Sequence, residues 1–121
     1  MCRVLIAEDE ARIAAFMEKG LRQAGYMPTI ASDGEMAINA ALAQSFQLVL
    51  LDLGLPKRDG QEVLQTLRER GITCPIIVVT ARSLSTAKIS ATQEMADDWV
   101  NKPFKMKDLL QRIARLLPAK D

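Results

Sequence analysis

Three carboxylates, one hydroxyl and one amine stand at or just after short apolar runs of this 121-residue chain. Glu8 and Asp9 follow Arg3-Val4-Leu5-Ile6-Ala7, and Asp52 follows Leu48-Val49-Leu50-Leu51. Thr80 follows Ile76-Ile77-Val78-Val79, and Lys102 follows a short run around Trp99-Val100. If these runs are parallel strands of one sheet, all five side chains lie at its carboxyl edge, where open α/β sheets place their ligand crevice. Three negative charges gathered there would resist simultaneous ionisation unless something positive sat among them. A hard divalent cation such as Mg2+, which takes carboxylate, carbonyl and water oxygens, meets that need, and the Lys102 ammonium adds a compact donor. Taken singly, each acid could instead serve as a helix cap, and Glu8 to Glu10 would suit the first turn of a helix. The recurrence at four strand ends argues against coincidence.

The elements that must position these residues are legible in the apolar periodicity. Strand-like runs alternate with stretches at helical spacing: Ile13, Phe16, Met17 and Leu21 before Gly25, and the Ala-rich stretch to Ala43 opened by Ser32-Asp33-Gly34-Glu35. A polar, Gly- and Pro-containing loop from Asp52 to Gly60 leads to a helix through Val63, Leu64 and Leu67, ending at Gly71. A weaker helix is expected over about 85–94, and Leu109, Leu110, Ile113, Leu116 and Leu117 mark a last one, closed by Pro118. Five apolar strands alternating with five helices predict an α/β fold with a parallel sheet covered on both faces. The flavodoxin-like order 2-1-3-4-5 is the common solution for five strands.

Composition bounds the rest. With 49% hydrophobic and 26% charged residues, the chain suits a single globular domain that buries its own core. Sixteen Lys+Arg against fifteen Asp+Glu leave a net charge of +1, far from a nucleic-acid-binding footprint. Histidine is absent, which excludes imidazole catalysis and His-containing zinc sites. Cys2 and Cys74, widely spaced, read as reduced thiols of a cytoplasmic protein. No apolar run approaches the length of a membrane span.

The segments Val4-Leu5-Ile6-Ala7-Glu8-Asp9, Leu50-Leu51-Asp52-Leu53-Gly54-Leu55-Pro56, Val78-Val79-Thr80-Ala81-Arg82 and Ala96-Asp97-Asp98-Trp99-Val100-Asn101-Lys102-Pro103-Phe104 resemble the receiver (CheY-like) domain of two-component response regulators. The resemblance spans the whole chain. It implies that Asp52 accepts a phosphoryl group from a phosphohistidine on a sensor histidine kinase. It also implies that Glu8, Asp9, Asp52 and the backbone carbonyl of Gly54 hold Mg2+, and that Thr80 and Lys102 bond phosphoryl oxygens. The Lys102-Pro103 bond would be cis, aiming the lysine into the crevice. Phosphoryl transfer relies mainly on positioning and charge neutralisation, so these groups would make a phosphoacceptor that assists its own reaction rather than an enzyme acting on others. Phosphorylation would draw Thr80 toward the new oxygens and let Trp99 turn inward, reshaping the face formed by the fourth helix, fifth strand and fifth helix. Three departures stand out: Trp99 replaces the usual Tyr or Phe, Met95 replaces a helix-closing Gly, and Gly54 has no side chain to screen the phosphoryl group.

The Leu-Asp-Leu-Gly-Leu-Pro motif and the charges Lys88, Glu94, Asp97, Asp98, Asp108, Arg112 and Arg115 resemble the winged-helix OmpR/PhoB-type regulators. In that branch, receivers dimerise through salt bridges on this face; otherwise the same charges form a solvated surface. The resemblance divides the chain into a receiver over 1–117 and the start of a linker over 118–121. DNA would be contacted only through a C-terminal domain absent from this chain. Two other readings are a stand-alone receiver and a phosphorylation-independent adaptor, although the retained acids disfavour the adaptor. A flavin- or nucleotide-binding protein of the same fold would need a Gly-rich phosphate loop, and none occurs.

Overall fold

The computed structural model describes residues 2–81 and 95–117. Strands β1 (Arg3–Ala7), β2 (Met27–Ala31), β3 (Leu48–Asp52), β4 (Ile76–Ala81) and β5 (Asp98–Lys102) form one sheet in the order β2-β1-β3-β4-β5. Every neighbouring pair is parallel, as the apolar runs predict. Helices α1 (Ala11–Gln23), α2 (Gly34–Ala43), α3 (Gly60–Glu69) and α4 (Met106–Leu116) cover the two faces. Four helices rather than five are therefore described; the one expected over 85–94 lies outside the described residues.

Alternation along β1 divides the core. Leu5 and Ala7 point into a cluster with Ala37, Val63, Leu64 and Leu67 of α2 and α3. Val4 and Ile6 point the other way, to Met17 and Leu21 of α1 and Leu109 and Ile113 of α4. The ladder also carries the strands slightly further than the apolar runs suggested. Asp52 pairs in register with Val79 and Lys102 with Ala81, so Asp52 closes β3, Lys102 closes β5 and Thr80 lies within β4.

Local chemistry sets the helix ends. Asp33 and Asp59 cap α2 and α3, accepting the backbone N–H of Met36 and of Gln61, each at 2.9 Å. Gly25 and Gly71, at φ 93° and 86°, let the chain leave α1 and α3 through the left-handed region. Gly60 is required for another reason: a Cβ there would come within 2.3 Å of the Leu53 Cα. By contrast, α1 begins at Ala11 with no acidic residue in its first turn and no side-chain cap from Glu10. The acids at 8–10 thus lie ahead of the first turn, and the Glu8 carboxylate takes the N–H of the N-cap residue Glu10.

Candidate functional site

Parallel strands bring the ends of β1, β3, β4 and β5 to one edge. Glu8, Asp52 and Thr80 are buried there, and Asp9 is exposed. Glu8, Asp9 and Asp52 each offer a carboxylate oxygen, all within 4.8 Å of one another. Lys102 reaches in from β5: its Nζ lies 2.8 Å from Glu8 Oε1 and donates to Asp52 Oδ2 at 3.2 Å. The peptide bond Lys102-Pro103 is cis, as expected. Asp52 Oδ1 accepts the Gly54 N–H at 3.0 Å, and Glu8 Oε2 accepts the Glu10 N–H at 3.1 Å. The remaining Glu8 oxygen, Oε1, is buried with an ion pair but no aligned hydrogen bond.

Among the described residues, one ammonium thus faces the carboxylates of Glu8 and Asp52, with Asp9 beside them. Burial raises the Glu8 carboxyl above its ordinary value; the Lys102 contact and the Glu10 N–H pull it back, and the charge of Asp52 pushes it up again. Burial would lower Lys102, but the close contact with Glu8 and the charges of Asp52 and Glu8 outweigh it and hold the ammonium above its ordinary value. An oxygen-only donor set with surplus negative charge and a buried oxygen lacking an aligned donor fits a hard divalent cation.

The other expected residues fall variously. The Thr80 hydroxyl, one register step beyond Asp52 on the neighbouring strand, donates a long 3.4 Å bond to the Ala81 carbonyl. Trp99 is half-buried, packs against the α2 and α3 side of the core, and has a buried indole N–H with no partner among the described residues. The carbonyl of Met95, the residue that stands in place of a helix-closing Gly, accepts from Arg68 Nε at 3.0 Å. On the face of expected dimer charges, Asp98 pairs with Arg112 of the same chain at 2.8 Å. Asp108 and Arg115 are exposed on α4, whereas Lys88 and Glu94 lie outside the described residues. Asp97 turns toward Arg68, 3.1 Å away, and accepts the Ile76 N–H at 2.8 Å.

Sequence reasoning missed two sets of residues. Arg68 also donates Nη1 to the carbonyls of Ile72 and Cys74, each at 2.9 Å, and so ties α3 to the entrances of β4 and β5. Lys57 and Arg58, read only as loop, pair with Asp33 and Glu35 at the start of α2. Neither set carries a periodic or motif signal; Asp97 lies 29 positions from Arg68, and Glu35 lies 23 positions from Arg58.

Comparison with known proteins agrees with this architecture. The transcriptional regulatory protein DltR of Streptococcus agalactiae is 41% identical over 111 residues, covering 92% of this chain and 50% of that protein. The response regulator ArlR of Staphylococcus epidermidis is 38% identical across the whole chain and 56% of its own length. The chain thus spans about half the length of the curated relatives it matches. Among solved structures, the response regulator TrrA of Thermotoga maritima, in complex with Mg2+ and BeF, superposes with a TM-score of 0.87 at 30% identity, covering 97% of this chain and all of that one. A CheY-like receiver from Methanospirillum hungatei gives a TM-score of 0.90 at 27% identity, over 95% of this chain and 92% of that one. The family pattern matches residues 4–114, and with the fold and the acidic strand-edge site in place, the chain belongs to the response regulator receiver domain family.

Proposed function

We propose that this receiver accepts a phosphoryl group on Asp52 from the phosphohistidine of a sensor histidine kinase and relays that state to a partner surface. The observation that carries the reading is the clustering of Asp52 with Glu8, Asp9 and Lys102 at one sheet edge. A carboxylate oxygen of Asp52 attacks phosphorus as the phosphorus–nitrogen bond of the donor breaks, and the departing imidazole nitrogen takes up a proton. Glu8, Asp9, Asp52 and the Gly54 carbonyl would hold Mg2+, which supplies neutralising charge for the transferring group. Lys102 moves from its carboxylate partners to a phosphoryl oxygen, and the Thr80 hydroxyl, which makes a long local bond to the Ala81 carbonyl, turns to another. The resulting acyl phosphate is labile, and Gly54 leaves it open to water: a Cβ there would meet only Asp52 Oδ1, at 3.6 Å.

A kinase must approach across the rim. Phe16, exposed and set against Phe104 at a ring separation of 6.2 Å, borders a cavity of about 390 Å3 that also touches Ile13, Pro103 and Lys102. That apolar rim suits a docking helix. The Trp99 indole N–H, buried and without a hydrogen-bond partner among the described residues, would find one when Thr80 moves. The longer relatives, two of them named as transcriptional or response regulators, support an OmpR/PhoB-type protein in which 1–117 is the receiver, 118–121 begins a linker and a winged-helix domain binds DNA. The Asp98–Arg112 pair, closed within one chain, would exchange partners between two chains in the phosphorylated dimer.

Intact-mass measurement after incubation with acetyl phosphate tests the central claim on this chain and on Asp52→Ala. A gain of one phosphoryl mass requiring both Mg2+ and Asp52 is expected. A folded sample that gains none under either condition would favour the phosphorylation-independent adaptor.

A further inference from the structure

The start of α2 and the loop leaving Asp52 are joined in four ways. The Gly34 N–H donates to the Pro56 carbonyl at 3.2 Å. Lys57 Nζ lies 3.5 Å from Asp33 Oδ2, and Arg58 Nε donates to Glu35 Oε1 at 2.7 Å. The backbones also press together: a Cβ on Gly34 would fall 2.5 Å from the Arg58 Cβ and 2.7 Å from its carbonyl oxygen. Between these links the loop is strained. Lys57 has φ 68°, and the Arg58 N–H donates to the Pro56 carbonyl at 2.7 Å, closing a three-residue turn around it. Non-glycine residues persist in this region only where the surroundings over-determine them, and such positions gather at functional sites.

Exposed ion pairs contribute little to global stability, so strength alone does not explain this seam. Its effect is positional. The loop it holds contains Gly54, whose N–H bonds Asp52 Oδ1. We propose that Lys57 and Arg58 are positioning residues for the divalent-cation site: paired with Asp33 and Glu35, they hold the 53–58 loop where Asp52 and the Gly54 carbonyl complete the oxygen shell. This rests on the metal reading given above and adds that affinity is set partly by residues that never touch the ion. The analogy is the outer-shell partner that orients a ligating group.

Charge alone makes the opposite prediction. Removing two cations near an acidic cluster should tighten Mg2+ binding, whereas releasing the loop should weaken it. Calorimetric titration of the 121-residue chain with Mg2+ compares the parent with Lys57→Asn/Arg58→Met. Asn tolerates the left-handed turn, so backbone strain is not increased. The expected result is roughly 10-fold weaker Mg2+ binding with faster amide exchange at Gly34 and an unfolding midpoint, measured in EDTA, close to the parent's. Equal or tighter binding by the variant would overturn the proposal and leave the pair as surface charges. A parent chain that takes up no Mg2+ would instead defeat the metal reading and, with it, this one. Should the double variant not fold, Arg58→Met alone carries the same comparison, with weakening expected and unchanged binding counting against it.

Discussion

Two sheltered cations sit at opposite ends of the sheet, Lys102 at the carboxyl edge and Arg68 at the amino edge, with side chains 14% and 22% exposed. Arg68 spends its planar fork on the carbonyls of Met95, Ile72 and Cys74 and on Asp97, which in turn accepts the Ile76 N–H. Lys102, a point charge on a flexible stem, faces Glu8 and Asp52 with Asp9 close by, and Glu8 Oε1 still lacks an aligned hydrogen bond. One end pairs a guanidinium with neutral carbonyls and a single carboxylate. The other, among the described residues, is left short of positive charge. The contrast follows the difference between the two side chains: Arg suits fixed multidentate binding, whereas Lys readily exchanges partners. A satisfied cation rigidifies, and an unsatisfied cluster suits the metal and phosphoryl group proposed above.

The sharpest way to break this comparison is to remove each cation. Lys102→Met should slow phosphorylation of Asp52 by acetyl phosphate about 10²- to 10³-fold, the usual cost of losing one electrostatic donor to a developing charge. A rate within a few-fold of the parent, read by intact mass against time, would place Lys102 outside the reaction. Arg68→Met should lower unfolding free energy by about 2 kcal/mol in urea titration, because it strands carbonyls and Asp97. It should leave Mg2+ affinity as it was; a large loss of affinity would mean the two ends are coupled.

A smaller effect separates the ends by ligand. Mg2+ at about ten times its dissociation constant should raise stability by about 1.4 kcal/mol, equally in the parent and in Arg68→Met. Smallest is the pH response of the metal-free chain. Burial holds the folded Glu8 carboxyl above its ordinary 4.5, so the stabilisation from its proton is present below 4.5 and is lost as pH rises through the higher folded value. Asp33, held below its ordinary 3.8 by the Met36 N–H and by Lys57, behaves oppositely, its contribution being lost as pH falls through the lower folded value. Urea unfolding in EDTA from about pH 4 to 7 should therefore show a decline that Glu8→Gln flattens. An unchanged slope would remove burial of Glu8 as its cause.

Much of this molecule is legible in its sequence. The runs at Val4, Leu48 and Ile76 are apolar throughout because both sheet faces are covered, and that signature alone implies a parallel sheet with its polar side chains at one edge. Glu8, Asp9, Asp52 and Lys102 were recoverable for the same reason: each stands at the end of a recognisable run. Strand ends were less legible. Asp52 and Lys102 look like loop residues by polarity, yet ladder bonds to β4 hold them within strands.

What the sequence determined by itself was therefore periodic: element type, approximate order and the strand edge at which the polar side chains gather. Side-chain partnership belonged to the tertiary structure. Asp97 bonds Arg68 across 29 positions, and Asp33 meets Lys57 only because α2 and the loop after β3 lie side by side. Such pairs leave no repeat along the chain, since their distance is set by crossovers and packing rather than by neighbouring residues. The same crossovers gave Lys102 its partners Glu8 and Asp52, from strands that are far apart in sequence and meet only in the folded sheet.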